Sequence, residues 1–236
     1  MNKRILAFSS SRTGNSGYLE TAWPLIKEFL GTQPQTIAFI PFAAVDGDYE
    51  SYTRKVRESL PGQYNIVTVT HHHAAETIHN ADVIMTGGGN TFKLLHDLYH
   101  TDAITVIKEK VHNGTPYIGW SAGSNITGHS ICTTNDMPVI DPGSFMALGF
   151  FPFQINPHYY NITIPGFNGE TRDQRLEEFL MLNPHLPVVA LPEGTALQLD
   201  KEKLFLKGGN AFVLSYADNA LEKKEMEEGG EISYLL

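Results

Sequence analysis

Short apolar runs alternate along the first half of the chain with stretches whose apolar residues recur every three or four positions. The first period marks strands and the second marks helices. Residues 4–8, 36–42, 64–70, 81–86 and 116–120 read as strands. Between them, residues 18–30 set Leu19, Ala22, Trp23, Ile26 and Phe29 along one helical face, and 49–60, 90–99 and 103–112 share that character. Nearly continuous apolar strands, each followed by a helix, predict an α/β fold: a doubly wound, mostly parallel sheet with helices on both faces. After residue 126 the pattern loosens into a Pro- and Asn-rich passage at 133–169. A helix at 172–182, a strand at 187–191 and a hairpin through 196–205 follow. With no repeat, low-complexity tract or linker, a single domain over 1–236 is expected.

Composition narrows the class of protein. At 236 residues and 42% hydrophobic, the chain can bury a full core. Its net charge of -9, with only 17 Lys and Arg dispersed along it, argues against a nucleic-acid surface, which needs clustered cations. The apolar run Ile5–Phe8 is too short for a signal segment, and no later run approaches the ~20 apolar residues of a membrane span. A lone cysteine, Cys132, excludes an internal disulfide and suits a reducing compartment. The expectation is a cytoplasmic protein without membrane or nucleic-acid partners, a monomer or homodimer.

Candidate chemistry gathers at Gly119-Trp120-Ser121-Ala122-Gly123. This is a G-x-S-x-G sequence placed directly after a strand and before a short helix at 124–127, the context of a nucleophile elbow. A sharp turn packed against its neighbours leaves no room for side chains at the two glycines. A serine nucleophile needs a base, and the base needs an orienting group. Most of the ten histidines have plainer readings. His71, His72 and His73 look like a solvated strand end, and His96 and His100, one helical turn apart without an H-E-x-x-H, look like surface residues. His158 instead falls in an irregular, polar segment downstream of the elbow, where a rigid sheet carries its working loops. Two acids compete to orient it, Asp136 and Glu193, and spacing alone does not choose between them. The run Gly87-Gly88-Gly89-Asn90-Thr91 lacks the glycine pattern of a dinucleotide site and the Lys of a P-loop. It offers backbone N–H groups at a helix start, suited together with the Ala122 N–H to an oxyanion.

Six segments in order, GGGNTF (87–92), YIGWSAGSN (117–125), TTNDMP (133–138), INPHY (155–159), GETRDQR (169–175) and LPEG (191–194), resemble peptidase E, the aspartyl dipeptidase family of serine peptidases. The resemblance spans most of the chain and thins from Leu197 onward. It implies a fold similar to the class I glutamine amidotransferase domain and hydrolysis of dipeptides with an N-terminal aspartate, with no metal and no cofactor. It further implies Ser121 as nucleophile, His158 as general base then acid, and an oxyanion hole from Gly89 and Ala122. Glu193 is the best match to the family's acid, with Asp136 a second required carboxylate. Ser124 stands where the family also uses alanine, a change expected to be tolerated.

Chain order adds a check independent of the resemblance. The interval from Ser121 to Asp136 is too short for the elements that separate nucleophile and acid in α/β-hydrolases, whereas Glu193 follows a strand directly. Glu193 is therefore expected to orient His158, and Asp136 to pair with the substrate's ammonium group. Recognition of an aspartate side chain calls for a cation, and Arg172 is the candidate, with Asn90 as a second substrate-binding residue. Arg175 reads as part of a charged helix face with Glu177 and Glu178. Two other classes stay open: a cyanophycinase-like hydrolase of β-aspartyl peptides, and a silent binding protein that keeps the elbow for packing.

Overall fold

In a computed structural model describing residues 2–60, 62–166 and 168–236, the chain builds two sheets. The strands are β1 (Arg4–Phe8), β2 (Gln35–Ile40), β3 (Tyr64–Thr68), β4 (Val83–Thr86), β5 (Tyr117–Trp120), β6 (Gln154–Asn156), β7 (Val188–Ala190), β8 (Ala196–Asp200), β9 (Lys203–Lys207), β10 (Ala211–Ala217) and β11 (Ala220–Met226). The helices are α1 (Trp23–Leu30), α2 (Tyr49–Ser59), α3 (Ala74–Asn80), α4 (Thr91–His100), α5 (Ala103–His112), α6 (Ala122–Asn125) and α7 (Arg172–Leu182). The larger sheet runs β3-β2-β4-β5-β1-β8-β9, its first five strands parallel and its hairpin β8-β9 antiparallel.

Alternation within the strands dictates the layers. In β1, Ile5 and Ala7 pack into one core while Leu6 and Phe8 pack into another, and in β2 Ala38 and Ile40 oppose Ile37 and Phe39 in the same way. A sheet apolar on both faces must be covered on both. Ile26, Phe29 and Val56 bring α1 and α2 to one face, and Ile78, Leu94, Leu98, Ile107 and Val111 bring α3, α4 and α5 to the other. The expected doubly wound, mostly parallel α/β arrangement is the one observed.

The helix expected over 18–30 begins only at Trp23. Leu19 bends the chain at φ 56°, and its buried side chain supplies the apolar periodicity without a helix. The histidine run does not end a strand: His71–His73 is a 3-10 turn leading into α3, and His71 stacks on Phe42 at 4.8 Å. The second sheet, β11-β10-β7-β6, has β6 and β7 parallel and is covered by α7 through Leu176 and Leu180 against Val188, Ala190 and Leu214.

Candidate active site

The carboxyl ends of β4, β5 and β1 in the large sheet, and of β6 and β7 in the small one, converge on Ser121. The elbow itself is strained. Ser121 sits at φ 54° and ψ -114°, a conformation that costs a non-glycine residue ~1–3 kcal/mol. Backbone bonds hold it there: its N–H donates to Phe8 O at 3.1 Å, and its carbonyl accepts from the N–H groups of Ser124 and Asn125. The flanking glycines answer to close approach. A Cβ on Gly119 would lie 2.3 Å from Gly123 O, and one on Gly123 would lie 2.3 Å from Thr86 O. Ser124 has its own anchorage, with Oγ 2.6 Å from Phe8 O and 2.9 Å from Gly119 O, so its hydroxyl fastens the turn.

His158 follows β6, and Glu193 follows β7. The Nε2 atom of His158 is 2.9 Å from Ser121 Oγ, and Nδ1 is 2.9 Å from Glu193 Oε1. With a proton on Nδ1 directed at the carboxylate, Nε2 keeps the lone pair that a serine hydroxyl needs. His158 has φ 51°, and its N–H donates to Ser9 Oγ at 2.8 Å while Ser9 Oγ donates to Leu191 O at 2.7 Å. The Ser9 hydroxyl, at the end of β1, thus joins both loops of the small sheet to the large one. Asn125 makes a second join, its Nδ2 donating to Ile155 O at 2.7 Å.

Asp136 lies apart from this chain of bonds. Its Oδ2 accepts from Thr91 N–H at 2.7 Å, Thr91 Oγ1 at 2.5 Å and Thr134 Oγ1 at 3.2 Å, at the positive end of α4. Among the described residues, its Oδ1 receives no donor. Asn90 is the N-cap of α4, with Oδ1 accepting from Lys93 N–H at 3.0 Å and Nδ2 donating to Met137 O at 2.8 Å. Both ends of its amide are engaged by the chain, which gives a residue expected to touch substrate a place steadying the Asp136 loop. Gly88 lies against Ser121, since a Cβ there would come within 2.9 Å of Ser121 Cβ. Among the described residues, the N–H groups of Gly89 and Ala122 donate to no protein acceptor.

Arg172, at the start of α7, donates through Nη1 to Asn135 Oδ1 and lies 5.6 Å over the Tyr160 ring. Asn135 in turn donates to Pro157 O at 2.7 Å, so Arg172 reaches the backbone beside His158 through one side chain. It borders a cavity of about 280 Å³ with Tyr160, Ile162, Ile164 and Arg175. Burial lowers the Arg172 pKa. Arg175 is exposed and pairs with Glu170 at 3.5 Å.

Two charged networks were not anticipated. Asp97, nearly buried in α4, accepts from His71 Nε2 at 2.7 Å, Tyr49 Oη at 3.0 Å and Lys93 Nζ on one oxygen, and from His96 Nδ1 at 2.9 Å on the other. Asp173 binds Tyr159, Asn161 and Lys223, fastening the chain after His158 to α7 and β11. The i, i+4 pair Lys93 and Asp97 was the readable sign of the first; nothing local marks the second. Among the described residues, no group of three or more His, Cys, Asp or Glu is gathered to hold a metal ion.

Residues 5–214 match Peptidase family S51. The chain belongs to that family. It is 46% identical to peptidase E of a Nostoc species over 239 residues, covering 100% of this chain and 98% of the relative. It is 47% identical to peptidase E of Shewanella amazonensis over 238 residues, covering both chains in full. Against peptidase E of Haemophilus influenzae the identity is 47% over 220 residues, covering 92% and 94%. In fold it resembles a putative peptidase E protein from Listeria monocytogenes, with a TM-score of 0.63, 23% identity and coverage of 87% and 98%. A peptidase from an acI-B1 actinobacterium superposes with a TM-score of 0.67 at 17% identity, covering 98% and 97%. As an S51 member the protein is a peptidase, and its substrates are peptides. None of the helices among the described residues is long and apolar enough to cross a membrane.

Proposed function

We propose that this S51 peptidase is a serine-type dipeptidase that hydrolyses Asp-Xaa through an acyl-enzyme on Ser121. The observation that carries the reading is the continuous hydrogen-bonded line Ser121 Oγ, His158, Glu193, with both links at 2.9 Å, on a strained elbow. In the first half-reaction, His158 Nε2 takes the Ser121 proton as Oγ attacks the scissile carbonyl carbon. The tetrahedral oxyanion accepts from the N–H groups of Gly89 and Ala122. Collapse breaks the C–N bond, and His158 gives its proton to the departing amine. Water then attacks the aspartyl ester, again losing a proton to Nε2, and Ser121 leaves with that proton as aspartate is released.

Asp136, whose Oδ1 has no protein donor among the described residues, is assigned to the substrate's ammonium group. Arg172 is assigned to the aspartate side chain, where burial favours a partner of opposite charge. A half-buried guanidinium deprived of a carboxylate partner by a neutral side chain gives the reason for discrimination.

The test is release of leucine from Asp-Leu, with Glu-Leu, Ala-Leu and β-linked Asp-Leu alongside, for wild type, Ser121→Ala and Arg172→Ala. Cleavage of Asp-Leu that is abolished in Ser121→Ala is expected. Arg172→Ala should lower kcat/KM for Asp-Leu by ~2–3 kcal/mol, the scale of a charged hydrogen bond, and narrow the gap to Ala-Leu. Cleavage of the β-linked peptide alone would favour the cyanophycinase-like chemistry, and cleavage of none would refute the Asp-Xaa dipeptidase reading.

A further inference from the structure

The glycine turn after β4 has an external hold that the proposed mechanism has not used. Tyr52, on α2, donates its hydroxyl proton to Gly88 O at 3.0 Å. Tyr52 Oη itself accepts from Trp120 Nε1–H at 3.2 Å and from the Tyr18 hydroxyl at 3.2 Å. Two donors aimed at one phenolic oxygen leave its own proton a single outlet, and the Gly88 carbonyl is that outlet.

The carbonyl of Gly88 and the N–H of Gly89 are two ends of one peptide unit. A trans peptide is planar and sends these groups to opposite sides, and no described peptide is cis. Fixing the carbonyl toward α2 therefore directs the Gly89 N–H away from α2. Gly88 itself lies between Tyr52 and the Ser121 side chain: a Cβ on Gly87 would come 2.6 Å from Tyr52 Oη, and one on Gly88 2.9 Å from Ser121 Cβ. Successive glycines have little conformational preference of their own, so the orientation of this N–H depends on what grips the turn. On the other side, Ala43 O accepts the Asn90 N–H at 2.8 Å, which leaves the Gly88–Gly89 unit as the part that Tyr52 sets.

We propose that Tyr52 is a positioning residue that aims the Gly89 N–H at the oxyanion by holding the Gly88 carbonyl. The inference rests on the serine mechanism given above and adds to it a residue 69 positions before the nucleophile in the chain. The plain alternative is that Tyr52 only packs, since its ring lies edge-on to Phe39 at 5.0 Å. Tyr52→Phe separates the two, because it keeps the ring and removes the hydroxyl.

Tyr52→Phe should lower kcat for Asp-Leu ~10-fold or more with KM unchanged, part of the loss that follows from removing an oxyanion donor outright. An aspartate aldehyde, which adds Ser121 Oγ to its carbonyl carbon and forms a tetrahedral adduct, should lose affinity by the same factor, while the product aspartate binds as before. The ratio of these two affinities belongs to the folded molecules alone, so it remains readable if the variant is less stable. A variant with lowered melting temperature but wild-type kcat and an unchanged ratio would overturn the proposal and leave packing as the role of Tyr52. Equal weakening of both ligands would overturn it too. Asp-Leu cleavage that persists in Ser121→Ala would instead overturn the underlying mechanism, and the role of Tyr52 with it.

Discussion

Replacing Glu193 by Gln keeps an oxygen beside His158 Nδ1 and removes only the charge. On the proposed mechanism, the imidazole becomes imidazolium as Ser121 attacks, with its charge centre ~4 Å from the carboxylate. Two unit charges at that distance interact by ~1 kcal/mol in water and by ~4 kcal/mol at an effective dielectric constant of ~20. The side chains of His158 and Glu193 are 39% and 51% exposed, which places the pair toward the aqueous end. About 1–2 kcal/mol of transition-state stabilisation is then at stake, or ~5–30-fold in kcat. A buried triad aspartate converted to its amide loses ~10⁴, so exposure here predicts a far milder defect. The assay is kcat on Asp-Leu for wild type and Glu193→Gln, at low and high salt. The wild-type advantage should shrink as salt rises, because an exposed pair is screened. A salt-insensitive loss near 10⁴ would show that the working site encloses Glu193, and no loss would remove it from the relay. Either result refutes the reasoning.

Gly123→Ala should destabilise the fold by ~1–3 kcal/mol, since its Cβ would meet the backbone oxygen of Thr86 at 2.3 Å; a melting temperature equal to wild type would contradict that contact. Burial alone would raise the Asp97 carboxyl, but hydrogen bonds from Lys93, His96 and His71 outweigh it and lower its pKa from 3.8 to about 2. A depressed pKa contributes stability above pH 3.8 that is lost as pH falls toward 2, here ~2 kcal/mol, and Asp97→Asn should remove that part of the acid limb in denaturant titrations at successive pH values. Asp136→Asn should cost ~1–3 kcal/mol of stability through its bonds to Thr91 and also raise KM for Asp-Leu; a stability loss with unchanged KM would take Asp136 out of amine recognition.

The parallel half of the large sheet was legible because its strands are buried on both sides and its helices carry a clean apolar stripe. Strands β1 and β4 and helices α2, α4 and α5 fall within a residue or two of their expected places. The small sheet was obscure for opposite reasons at its two edges. Strand β6 is three residues long between a Phe-rich run and Pro157, too short to show a period, while β11 is mostly Glu and Lys at an edge where no burial disciplines the pattern. The short helix α3 hid behind the histidine run. At the site, the elbow spoke through its glycines, whereas the choice between Asp136 and Glu193 depends on two strands 31 residues apart lying side by side, which local pattern does not encode. The grip of Tyr52 on Gly88 was invisible for the same reason: a tyrosine on an amphipathic helix reads as packing until its hydroxyl is located.

On the proposed mechanism, base and acid follow adjacent strands of the small sheet, while the serine follows a strand of the large one. The proposed relay is therefore divided between two sheets that share one core and are joined beside the site by the hydroxyl of Ser9 and the amide of Asn125. A small shear at that join would leave His158 and Glu193 in register with each other and part them together from Ser121. Activity should accordingly fade at denaturant concentrations where both sheets still protect their amides from exchange, so that catalysis reports the loss of alignment at the site earlier than any probe of the shared core.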